Sequence, residues 1–224
     1  ENTKLIAEQA AKAGLKKFIF LSSVKVNGES TDKIDNNKTF INNDVADPKD
    51  AYSISKFEAE KVLWEISLRT GLEVVVVRLP LVYGYGAKGN LNRLIKLINS
   101  GIPLPFGLIK NKRSLIGIDN LIDVLIRCID HPNAKGKTFL VSDGEDLSTP
   151  ELIKLIASSM ERSVRLFPVP VFLLKLLSSI LGKQKEINRL AESLKIDTSY
   201  TKETLNWTPR VTAEEGIRRM VQGK

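Results

Sequence analysis

The 224-residue chain holds one cysteine, Cys128, and one histidine, His131. That scarcity excludes a disulfide framework within the chain, a CxxC zinc site and any multi-histidine metal centre. A Ser-His-Asp mechanism would depend on His131 alone. Long apolar runs are also missing. The greasiest stretch, residues 166–181, is shorter than a spanning helix and carries Pro168, Pro170 and Lys175. No charged-then-apolar leader follows the opening Glu1-Asn2-Thr3, so a cytoplasmic setting is expected. Blocks of one charge sign are absent too. Lys and Arg outnumber Asp and Glu by 34 to 26, for a net charge of +8. They are scattered among acids without clustered aromatics, which argues against nucleic acid while suiting a small anionic partner. What remains, 42% hydrophobic and 27% charged residues, is an ordinary globular composition.

The pattern of elements alternates. Leu5, Ile6, Gln9, Ala10 and Ala13 recur at helical spacing, with Gly14 placed for a left-handed C-cap. A helix so near the start suggests a chain entered partway through a domain. Residues 17–23 read as a strand buried on both faces, and the polar stretch 27–49 as a long loop. A helix over 50–70 ends at Gly71, and the β-branched run 73–78 is the clearest strand. Helices over 90–99 and 120–130, a strand over 137–141 and a capped helix start at Ser148-Thr149-Pro150-Glu151 follow. This rhythm predicts an α/β fold with a parallel sheet and a smaller, mostly helical region after residue 142.

Gly84-Tyr85-Gly86-Ala87-Lys88-Gly89 matches GxGxxG between a strand and a helix. Pro80 interrupts the approach, and no strand ending in an acid follows where ribose recognition needs one. A glycine-rich active-site loop is the better reading.

Tyr52 and Lys56 lie four residues apart, on one face of the 50–70 helix. A free tyrosine, with a pKa of about 10, is a poor base at neutral pH. A cation one turn away favours the phenolate and makes proton exchange with a hydroxyl or carbonyl feasible. Ser22 and Ser23 end a buried strand, where open α/β sheets place their ligands. Ser23 is positioned to hydrogen-bond the oxygen whose proton Tyr52 moves.

Residues 18–24 (FIFLSSV), Tyr52 to Lys56 and residues 78–84 (RLPLVYG) occur in the order seen in extended short-chain dehydrogenases/reductases, the nucleotide-sugar epimerases, dehydratases and reductases. The resemblance runs on through Leu205-Asn206-Trp207-Thr208-Pro209 and the helix at Glu214-Glu215-Gly216-Ile217. It implies Ser23, Tyr52 and Lys56 as catalytic residues, with Tyr52, Lys56 and Pro80 also holding NAD, NADP not being excluded. It implies Asn90, Leu91, Leu104, Phe106, Arg113 and Arg189 as contacts, alongside Ser23 and Tyr52, for a UDP-linked sugar. The fold implied is the C-terminal part of a Rossmann-like parallel sheet over residues 1–142, with 82–120 partly substrate-binding, and a mainly substrate-binding region over 143–224.

Three departures shape the expectation. Family members begin with a glycine-rich nucleotide turn that this chain does not show, so about a hundred residues are expected to be missing. Dehydratases carry an Asp-Glu pair just after the serine, where Val24-Lys25-Val26 stands here. Leu81 replaces a frequent asparagine, and Asn27 a common tyrosine. The resemblance therefore implies a homodimeric 4-epimerase working through a 4-keto sugar. The alternatives are a 4-ketoreductase using the same residues in one direction, or a non-catalytic nucleotide-sugar binder. Residues 166–181 are expected to pack a helix over the substrate cleft, with no stable membrane insertion.

Overall fold

The computed structural model describes residues 2–32, 38–87 and 90–223. In chain order the elements are α1 (Asn2–Lys12), β1 (Lys17–Ser23), α2 (Ala51–Thr70), β2 (Glu73–Leu79) and β3 (Leu81–Tyr83). Next come α3 (Asn90–Asn99), β4 (Arg113–Gly117), α4 (Ile118–Asp130), β5 (Lys137–Leu140) and β6 (Asp146–Leu147). Five helices close the chain: α5 (Thr149–Ser159), α6 (Val171–Ile180), α7 (Gln184–Ala191), α8 (Ser199–Leu205) and α9 (Ala213–Gln222).

The valine run decides where the first sheet has its centre. Val74, Val75, Val76 and Val77 are wholly buried, so β2 has protein on both faces. It pairs in parallel with β1, from Lys17 opposite Glu73 to Ser23 opposite Leu79, and with β5 on its other side. α1 and α2 cover one face through Ala7, Leu63 and Ile66, while α4 and α8 cover the other through Val124, Cys128 and Leu205. The fold is α/β with a parallel first sheet, as the pattern predicts.

α2 begins where its sequence says it should. Asp50 accepts a hydrogen bond from the Ser53 amide at 2.7 Å, and the Ser53 hydroxyl approaches the Asp50 amide at 3.1 Å, a reciprocal cap. Its end is set by Gly71, whose φ of 75° suits a residue without Cβ.

Pro80 marks a change of sheet. β2 ends at Leu79 and β3 starts at Leu81, which pairs in parallel with Leu115 of β4; β6 then adds antiparallel to β4. A proline has no N–H for the ladder, so the chain can leave one sheet there and join another. The second sheet packs with α3, α5 and α9 around Tyr83, Leu104, Ile153 and Ile217. The Tyr83 hydroxyl donates to Asp143 at 2.6 Å, and Asp143 also accepts from the Gly117 amide and from Asn120. Burial, reinforced by Asp143, pushes the Tyr83 phenol well above its usual range. Gly216 is required here, since a Cβ would lie 2.8 Å from that hydroxyl.

The region after residue 142 is mostly helical, as expected, but the chain crosses back: Tyr200 of α8 stacks on Phe139 of β5, and Trp207 joins the core of the first sheet.

Candidate active site

A cavity of about 480 Å³ opens between the C-terminal end of the first sheet and the helices that follow the second. β1 and α2 supply Ser23 and Tyr52 to its wall, and the β2–β3 junction supplies Leu79, Pro80 and Leu81. Leu91 comes from α3, Arg113 from β4, and Lys185 and Arg189 from α7.

Strand alternation separates the two serines. Ser22 turns into the interior and donates to Glu60 Oε1 at 2.5 Å, whereas Ser23 faces the cavity, its Oγ accepting the Lys25 amide at 3.3 Å. Tyr52, in the first turn of α2, stands 55% exposed. Lys56, one turn on, donates to the Leu21 carbonyl of β1 at 2.9 Å, with its Nζ 5.8 Å from the Tyr52 ring centroid. Desolvation lowers the Lys56 pKa, with Glu60 acting against it. Ser23 and Tyr52 thus share the cavity wall, and Lys56 sits one turn behind Tyr52 with its ammonium on the Leu21 carbonyl.

The cations converge from the other side. Arg113 reads locally as part of a Lys-Asn-Lys-Arg loop, but it opens β4, and its Nη1 donates to the Glu192 carbonyl at 2.9 Å. Burial, with Arg189 acting the same way and Glu192 and Asp32 opposing, depresses its pKa to about 10. The guanidinium stays charged at neutral pH, beside a second arginine on the same wall.

Other expectations need correction or limits. The side chains of Leu104 and Phe106 lie in the core around Ile153, not on the cavity wall. The backbone of Leu104 is engaged as well, its amide donating to Arg165 and its carbonyl accepting from Phe167. Asn90 opens α3, but its side chain, like Lys88 and Gly89, lies outside the described residues. Among the described residues the glycine motif does not reach the cavity; Gly84 serves packing, since a Cβ there would meet Ile118 at 2.7 Å. α6 does not line the cleft: the wall is made by α7, while α6 packs Val171 and Leu174 against the core around Ile153.

Sequence reasoning missed two features. Arg78 of β2 holds Glu60 of α2 in a buried pair, and Asn27 accepts from Arg78 Nη1 at 3.0 Å. Carboxylates also reach the position after Ser23, though from a distance. Asp50 lies 2.5 Å from Lys25 Nζ and Glu29 3.5 Å, and all three line the cavity. Asp50 is committed to Lys25 and the α2 cap; burial alone would raise its pKa, but these hydrogen bonds hold it well below the usual range.

A sequence profile described as the NAD dependent epimerase/dehydratase family matches residues 1–142. The chain belongs to that family. It is 44% identical over 218 residues to a UDP-glucose 4-epimerase of Vibrio cholerae, covering 97% of this chain and 66% of that protein. The chain thus spans just under two thirds of the length of that relative. Among solved structures, UDP-glucose 4-epimerase of Thermotoga maritima with UDP-glucose aligns at a TM-score of 0.74 and 22% identity, covering 98% of this chain and 67% of that one. UDP-glucuronic acid 4-epimerase of Bacillus cereus with NAD aligns at 0.77 and 18% identity, over 98% and 65%. These likenesses confirm the Rossmann-like fold.

Proposed function

We propose that the protein is an NAD-dependent nucleotide-sugar 4-epimerase acting on a UDP-hexose or UDP-N-acetylhexosamine through a 4-keto intermediate. The observation that carries this reading is the cavity, which has Ser23 and Tyr52 on one side, with Lys56 one helical turn behind Tyr52, and Arg113 with Arg189 on the other. The relative from Vibrio cholerae, named for the same reaction, supports it.

The residues present fit the nicotinamide end of NAD. Lys56 and Tyr52 offer an ammonium and a phenol to a ribose, and Leu79 and Pro80 form an apolar wall beside them. NAD, when bound, supplies the acceptor that takes hydride from C4 and gives it back. Tyr52 takes the proton from the C4 hydroxyl and later returns one to the 4-keto oxygen. Ser23 hydrogen-bonds that oxygen and holds C4 in place. Lys56 places its ammonium one turn from Tyr52, within reach of the ribose beside it. Arg113 and Arg189 hold the diphosphate by charge-assisted hydrogen bonds, so the sugar can turn over while the nucleotide stays anchored. A homodimer in the cytoplasm belongs to the same reading.

The test is to incubate the full-length protein that contains this chain with NAD and either UDP-glucose or UDP-N-acetylglucosamine, following the sugar by proton NMR. Appearance of the C4 epimer is the expected result. Two unchanged substrates would contradict the proposal, and turnover only of a 4-keto sugar with reduced cofactor would replace it with a 4-ketoreductase.

A further inference from the structure

The cavity wall carries its charges in two groups. Arg113, Lys185, Arg189 and Glu192 stand on β4, on α7 and just after α7, three cations to one carboxylate among the described residues. Their net charge of +2 matches the two negative charges of a diphosphate ester. The second group lies beside the reacting hydroxyls. Lys25 comes two residues after Ser23, Asp50 comes two residues before Tyr52, and Glu29 comes four after Lys25. All three line the cavity, and one cation between two carboxylates leaves this end with a net charge of −1.

These three side chains hold one another in place. Lys25 Nζ lies 2.5 Å from Asp50 Oδ2 and 3.5 Å from Glu29 Oε1. Asp50 is fixed from its other side, because Oδ1 accepts the Ser53 amide at the start of α2. The ammonium therefore has its charge matched before a substrate arrives. A hydroxymethyl group is donor and acceptor at once, so it can give a hydrogen bond to a carboxylate of this cluster and take one from the ammonium. A carboxylate in the same place only accepts, and it would bring a third negative charge around one ammonium.

This inference rests on the nucleotide-sugar reading above, in which Ser23 and Tyr52 meet the sugar at its C4 oxygen. The ring carbons that flank C4 then pass the cluster. As the sugar turns over about its anchored diphosphate, the C6 group is on the side of the cluster in one of the two orientations. We propose that Lys25, Glu29 and Asp50 are specificity residues, admitting a sugar with an uncharged C6 group and turning away a hexuronate.

The test is calorimetry of UDP, UDP-glucose and UDP-glucuronate with the full-length protein that contains this chain. UDP-glucose is expected to bind about tenfold more tightly than UDP-glucuronate, with the ratio shrinking as salt is raised. Glu29→Gln removes one negative charge and should narrow the ratio by about threefold. Lys25→Met removes the cation and should widen the ratio by about the same factor. Affinity for UDP, which carries no sugar, should match the parent in both variants. The Glu29 side chain is 38% exposed, so the thermal midpoint of Glu29→Gln should also match. Equal affinity of the parent for the two nucleotide sugars would overturn the selection alone, and so would two variants that move the ratio in the same direction. A parent that binds no UDP would overturn the nucleotide-sugar reading together with the selection.

Discussion

Arg78 grips Glu60 with two hydrogen bonds, 3.0 Å from Nε and 2.6 Å from Nη2, and both residues are at least 93% buried. Ser22 donates to the same carboxylate, and Asn27 receives the remaining arm of the guanidinium. The pair ties α2, which carries Tyr52 and Lys56, to the strands that end at Ser23 and Leu79. It fixes the relation between helix and sheet on which the candidate site depends.

Removing one partner of such a pair strands the other charge. Glu60→Gln keeps the shape but leaves the buried Arg78 guanidinium without a counter-charge, and should cost about 3–5 kcal/mol of stability. Urea unfolding followed by circular dichroism measures this. The double variant Glu60→Gln, Arg78→Met should be less destabilised than the sum of its single changes, because the stranded charge is gone.

Acid stability should respond to a helix cap. Backbone and side-chain hydrogen bonds at Ser148, with help from Lys112, hold the Glu151 pKa at about 2, below its ordinary value. A folded-state pKa lowered in this way contributes stability that is present above the unfolded value of about 4.3 and is lost as pH falls toward the folded one. Glu151→Gln should therefore lower the thermal midpoint at pH 7, with the gap from the parent narrowing as pH falls below about 4. The effect is small because Glu151 is half exposed and solvent screens it. A gap that stays constant across that range would contradict the assignment.

Arg113 should act on binding more than on chemistry. Its guanidinium would meet a diphosphate equally in ground and transition states, so Arg113→Ala should raise KM and leave kcat nearly unchanged. Losing a hydrogen bond to a charged group costs about 1.5–3 kcal/mol, or roughly ten- to a hundredfold in affinity for UDP by calorimetry. A variant with lower kcat and unaltered KM would remove Arg113 from the diphosphate.

Local signals account for what the sequence revealed. The valine run marks β2, the Asp50 and Gly71 caps bound α2, and four-residue spacing puts Tyr52 and Lys56 on one helical face. The second sheet was harder to read. β3 has three residues after a proline, and β4 begins inside a cationic stretch, so neither shows a full period of alternation. Glu60 looks like one more acid on a charged helix; only the approach of β2, 18 residues later, makes it a buried partner. The resemblance implies substrate contacts at Leu104 and Phe106, but their apolar side chains complete the core around the second sheet. The cationic wall is equally non-local: Arg113 and Arg189 meet only because residues 192–196 return alongside β4.

Tyr52→Phe, made in the full-length protein that contains this chain, is the most direct test of the central claim. The substitution keeps the ring and deletes the one atom proposed to move the proton. Epimerase turnover should fall by about 10²- to 10⁴-fold, the usual contribution of a general acid–base group, while KM for the UDP-sugar and affinity for NAD change little. A Tyr52→Phe protein that interconverts the C4 epimers at a rate near that of the parent would contradict the account.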